Sequence, residues 1–73
     1  MKFLIQLRDS NSYYPTRWTV SFHEKPIGTI SRPVGSETYH AIPVRLGVPI
    51  LQDGDIREFL TKEAAAAELW NAY

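Results

Sequence analysis

Apolar and polar side chains alternate over the first third of the chain. From Lys2 to Arg8, Phe3, Ile5 and Leu7 fall on one side and Lys2, Gln6 and Arg8 on the other, with Leu4 the exception, which predicts a first strand. Asp9 to Thr16 reads as a loop, in which Pro15 holds Tyr14 extended; an aromatic before proline also raises the cis fraction, which allows a fixed kink there. Arg17 to Phe22 alternates cleanly, with Trp18, Val20 and Phe22 inward. His23 to Pro26 then predicts a short hairpin turn and Ile27 to Arg32 a returning strand, where Gly28 suggests a bulge or the close approach of an aromatic ring. After a turn at Pro33 to Ser36, Glu37 to Ile42 predicts a fourth strand with Tyr39 and Ala41 on one face. Pro43 and Pro49 confine Val44 to Val48 to an edge strand or an extended loop.

The periodicity changes after Gln52 to Asp55, a turn by composition. Asp55 stands three residues before Glu58, a capping-box spacing with Asp in place of Ser or Thr. Ile56 to Leu60 is either a preliminary helical turn, which that spacing favours, or a last strand. Thr61 is a second N-cap candidate. Beyond it Ala65, Ala66, Leu69, Trp70 and Tyr73 form one helical stripe, with Lys62, Glu63, Glu68 and Asn71 facing away. The expected architecture is α+β: one domain over residues 1–73, an antiparallel meander of three to five short strands packed on a C-terminal helix.

Length limits what such a domain can do. A chain of 73 residues builds a single thin core. Without cysteine there is no disulfide framework, no Cys-type zinc site and no thiol nucleophile. The opening Met1 to Ile5 resembles the start of a signal peptide, but Gln6, Arg8 and Asp9 interrupt the apolar run, so an intracellular location is expected. Phosphate loops, nucleophile elbows and dinucleotide fingerprints are missing, and a non-enzyme is expected. His23 and His40 lack a close ligand pair, and Asp53-Gly54-Asp55 lacks the later ligands of a calcium loop; no metal or cofactor is expected.

Charge is more informative than its total. Eight basic and eight acidic groups cancel, yet residues 1–50 carry six basic against three acidic (net +3) and residues 51–73 two against five (net −3). A basic strand region and an acidic helix on one body would orient the molecule toward an acidic protein surface or a phosphate backbone. Lys2, Arg8, Arg17, Lys25, Arg32 and Arg45 all fall where exposure is expected, which also suits ordinary protection of sheet edges. Tyr13 and Tyr14 stand in a polar loop between Arg8 and Arg17, a pairing typical of interface anchors. Lys2, Arg8, Tyr13, Tyr14 and Arg17 are therefore the expected partner-binding residues, on the first strand and the 10–17 loop.

The opening Met1-Lys2-Phe3-Leu4-Ile5, the run Arg17-Trp18-Thr19-Val20-Ser21-Phe22 leading into Pro26-Ile27-Gly28-Thr29-Ile30, and the closing Phe59-Leu60-Thr61-Lys62-Glu63-Ala64-Ala65 carry a resemblance over the whole chain. In length and layout the chain resembles the small RNA polymerase-binding transcription regulators encoded by lytic Xanthomonas phages. That resemblance implies docking on the large subunits of host RNA polymerase near the RNA exit channel, in the host bacterial cytoplasm. It implies both inhibition of initiation and antitermination, with a host elongation factor as a further partner. The residues alone leave open an interaction module for another host target, such as a nuclease or defence complex, or a single-stranded nucleic-acid binder stacking bases on Trp18 and the tyrosines. The direction of Trp18 discriminates: exposed beside Arg17 and Arg32 it suits nucleic acid, buried against Trp70 it suits a protein binder.

Overall fold

The alternation of the first 32 residues becomes three antiparallel strands in the computed structural model, which describes residues 2–10 and 13–73. They are β1 (Leu4–Asp9), β2 (Thr16–Phe22) and β3 (Lys25–Arg32), and β4 (His40–Pro43) completes a sheet of order β1-β2-β3-β4. A two-stranded hairpin, β5 (Leu51–Gln52) and β6 (Asp55–Ile56), follows, and α1 (Lys62–Asn71) closes the chain. The expected α+β meander on one C-terminal helix is what forms. Among the described residues no helix is long and apolar enough to cross a membrane.

Directly paired residues share a face of an antiparallel sheet. Ile5, Val20, Gly28 and Pro43 therefore form one inward row and Leu7, Trp18, Ile30 and Ala41 the next. The helix lies across β3 and β4 and contributes Ala65, Ala66 and Leu69 to a core with Trp18, Val20, Ile27, Ile30, Ala41 and Phe59. Its N-terminus is satisfied as the sequence suggests, the Thr61 hydroxyl accepting from the Ala64 N–H at 3.1 Å.

β3 carries one residue more than β2 between the Val20–Gly28 and Ser21–Pro26 pairs. The extra residue is Ile27, which is wholly buried although its neighbour Gly28 also faces the core, the bulge expected at Gly28. What approaches Gly28 is not an aromatic ring but Leu69 of the helix and the Ile42 carbonyl. Pro26 lies beyond the reach of β4, whose register ends at Gly28, so its missing N–H breaks no ladder there.

The β2–β3 turn is tighter than His23 to Pro26. Phe22 pairs with Lys25, leaving His23 (φ 49°) and Glu24 (φ 64°) as the two left-handed residues of a type I′ loop. A left-handed non-glycine costs about 1–2 kcal/mol, while glycine adds about 0.5–1 kcal/mol of unfolded-state entropy. Glu24→Gly is therefore expected to stabilise the fold by about 0.5–1 kcal/mol, seen as a higher urea midpoint at unchanged slope. A lowered midpoint would contradict strain in this turn.

Several expectations need correction. The fourth strand begins at His40 rather than Glu37, because Ser36 and Thr38 form a local knot in which the Thr38 N–H donates to the Ser36 hydroxyl at 3.1 Å. Val44 to Val48 is neither edge strand nor extended loop: the N–H groups of Leu46 and Gly47 both bond the Pro43 carbonyl, and Gly47 turns left-handed at φ 72°. Ile56 to Leu60 is not helical, since Asp53 (φ 54°) and Gly54 (φ 88°) fold Leu51 onto Ile56 and the chain then runs to Phe59, which exchanges two backbone bonds with Tyr39. Asp55 and Glu58 make no capping box; Glu58 accepts from the Thr38 hydroxyl at 2.7 Å. The Tyr14–Pro15 bond is trans.

The acidic half is not an acidic helix. Asp53 is in the hairpin turn, Asp55 on β6 and Glu58 beside the Phe59 bridge, which leaves Glu63 and Glu68 on α1. Glu68 stands 3.5 Å from Arg57.

Candidate docking surface

β1 is an edge strand, paired with β2 along one side only among the described elements. Its inward residues follow the same pattern as those of β2, but α1 packs chiefly over β3 and β4, so Ile5 is only half-buried against the core and Leu7 is left uncovered. Leu7 therefore lies on the core face and is still 61% exposed, and Leu4 on the opposite face is 55% exposed. Between β1 and the first turns of the helix lies a groove of about 820 Å³. Phe3, Ile5 and Leu7 line its strand side, Trp18 its floor, and Lys62 and Ala67 its helix side.

The indole at the floor is closed off. Trp18 is 8% exposed, with the Tyr39 ring edge-on at 5.6 Å, the Lys62 ammonium 5.0 Å above its ring and the Arg32 guanidinium 5.8 Å away. Cations at such distances gain from the ring quadrupole and are held in place by it. Trp70 is elsewhere, 4.4 Å from Phe22 and stacked on Tyr73, so Trp18 is buried but not against the residue expected.

The five expected partner-binding residues do not converge on one point. Lys2 is exposed and lines the groove. Arg8 is exposed on β1 and Arg17 on β2, where Arg17 pairs with Asp9 across the register shift at Leu7 and Asp9. Tyr13 and Tyr14 are 85% and 65% exposed. Tyr14 borders a different cavity, of about 320 Å³, with Thr16, Arg32, Pro33 and Val34. Asn11 and Ser12 of the expected docking loop, and Met1, lie outside the described residues.

Of the basic residues expected to be exposed, Arg32 is half-buried over Trp18 and Tyr39, while Arg45 is exposed, with its guanidinium 4.8 Å over the Tyr73 ring. Sequence reasoning did not single out Lys62 or Leu7 for the site. Leu7 looked like core, and Lys62 looked like solvated helix surface; only the position of the helix gives them to the groove. Among the described residues no group of three or more His, Asp or Glu side chains could hold a metal ion.

Compared with family models, with curated proteins and with solved structures, the chain matches none.

Proposed function

We propose that this chain is a non-catalytic protein-binding module that docks on the large subunits of bacterial RNA polymerase near the RNA exit channel. There it inhibits initiation and acts as an antiterminator, with a host elongation factor as an additional partner. The observation that carries the protein-binding part is the burial of Trp18 beneath Lys62 and Arg32, which takes from a single-strand binder the indole it would use as a stacking platform. Accessible instead are an apolar strand edge flanked by Lys2, Arg8 and Arg17, and the rings of Tyr13 and Tyr14. Such an edge offers apolar contact area, and the cations steer it toward carboxylates. The polymerase as target, and the two effects on transcription, are supported by the sequence resemblance. A body this small acts by occupying a surface and biasing the conformations beneath it.

A pull-down from bacterial host extract tests this reading. The two largest polymerase subunits are expected in the wild-type eluate, and about tenfold less with Arg8→Glu/Arg17→Glu, since reversing two rim charges removes on the order of 1.4 kcal/mol or more. A wild-type eluate without polymerase overturns the target. Equal recovery with the variant overturns the cationic docking surface.

A further inference from the structure

We infer that the free edge of β1 receives an extended peptide segment by strand addition, and that this segment carries apolar side chains toward the groove with carboxylates flanking them. The inference rests on the docking reading above and names its mode.

Three observations bear on it. First, β1 is six residues long and continuous from Leu4 to Asp9, with β2 on one side and no described strand on the other. The backbone N–H and C=O groups on the open side of an edge strand are a template for another chain. Natural edges are usually blunted by a covering helix, a proline, a β-bulge or charged side chains. On β1 the charges Arg8 and Asp9 and the register shift stand only at its far end, leaving Leu4 to Leu7 unprotected. Leu4 to Asp9 has no proline, its only register shift is at the Leu7/Asp9 end, and Leu4 and Leu7 stand exposed on opposite faces.

Second, the edge opens directly onto the groove. A strand laid beside β1 would send every other side chain to the face of Phe3, Ile5 and Leu7, toward the helix-side wall at Ala67. About 820 Å³ of open groove accommodates more than one such side chain.

Third, the charges select the partner. Lys2 and Lys62 line the groove against a single acid, Glu63, while Arg8 and Asp9, both exposed at the end of β1, offset one another. The Lys62 ammonium is already posed over Trp18, so it can meet a carboxylate without first being ordered. A basic segment would be repelled by Lys2 and Lys62. An acidic and apolar segment satisfies both the groove and its rim.

The probe is a capped seven-residue peptide alternating glutamate and valine, with a lysine-and-valine peptide as control, titrated into the full chain and followed by amide chemical shifts. Shifts are expected along Leu4–Asp9 and at Lys62 to Ala67, with the glutamate peptide at least about tenfold tighter than the lysine peptide. Leu7→Glu and Lys62→Glu, both at positions outside the buried core, are expected to fold and to lose the binding. The inference is overturned if the glutamate peptide does not bind, if its shifts fall elsewhere, or if β1 shifts follow protein concentration, as self-association would produce. Polymerase retained equally by wild type and Leu7→Glu leaves the docking reading standing and sinks strand addition. Peptide binding at β1 without any capture of polymerase supports strand addition and sinks the target.

Discussion

Gly28→Ala is expected to destabilise the fold by about 3 kcal/mol, at the upper end of what overpacking a core usually costs. A Cβ built at this position would lie 2.5 Å from the carbonyl oxygen of Ile42 and 2.7 Å from Cδ2 of Leu69. The leucine methyl belongs to a flexible side chain, but it is fully buried in a packed core and has little room to move. The carbonyl is backbone, on the strand that pairs directly with β3, so relieving it means parting the two strands. Gly47 and Gly54 form a contrast: a Cβ at either meets nothing within 4 Å, and the cost of alanine there is only the left-handed backbone, about 1–2 kcal/mol. Against a total stability of roughly 4–11 kcal/mol for 73 residues, Gly28→Ala consumes a large share. Urea unfolding measures it as a lower midpoint at unchanged slope. A loss below about 1 kcal/mol would mean that helix and sheet are not held at the observed spacing.

Much of this fold was legible because its signals are local. Arg17 to Phe22 alternates without exception and is β2; Thr61 caps the helix that Ala65, Ala66 and Leu69 attach to the sheet. Gly28, as a glycine inside a strand, announced the bulge that Ile27 forms. The failures have two causes. Some elements depended on a partner distant in sequence. Others depended on local turns, such as the Ser36–Thr38 bonds and the Pro43 carbonyl that takes Leu46 and Gly47, whose residues carry no strong turn signal. Ile56 to Leu60 reads as a helical start until Phe59 is seen to bond Tyr39, a competing extended pairing that no local propensity reveals. Asp55 has a cap-like spacing to Glu58, but Thr38, twenty residues earlier, takes that carboxylate. His23-Glu24 holds a turn that favours Asn-Gly, so the hairpin was visible and its length was not.

The candidate site divides in the same way. Lys2, Arg8 and Arg17 could be placed at the surface from alternation alone, because a charge avoids the core wherever the strand lies. The groove could not. Leu7 and Ile5 carry the same inward signal, yet one is 61% exposed and the other half-buried, and the difference is where a helix sixty residues later comes to rest.

Leu69→Ala is expected to cost about 3 kcal/mol, for reasons that concern the groove as well as the core. The helix attaches through Ala65, Ala66 and Leu69, and Leu69 is the one large side chain of the three and is fully buried. Alanine is at least as good a helix former as leucine, so the loss comes from burial and the cavity left behind, not from helix propensity. Leu60→Ala is the control: Leu60 is 84% exposed, and its truncation is expected within about 0.5 kcal/mol of wild type. Because the helix carries Lys62 and Ala67 on one side of the groove, loosening its anchor should also loosen the cap on Trp18, detected as a red shift in emission when Trp70 is replaced by Phe. The two variants are coupled, since Leu69 is one of the groups a Cβ at Gly28 would meet. Truncating Leu69 frees the space at Cδ2, so the double variant should lose less than the two singles together, by about 0.5–2 kcal/mol. It should not recover Gly28→Ala fully, because the Ile42 carbonyl still stands in the way. Strict additivity would assign the whole penalty at Gly28 to that carbonyl and show that the helix packs on β3 more loosely than its leucine indicates.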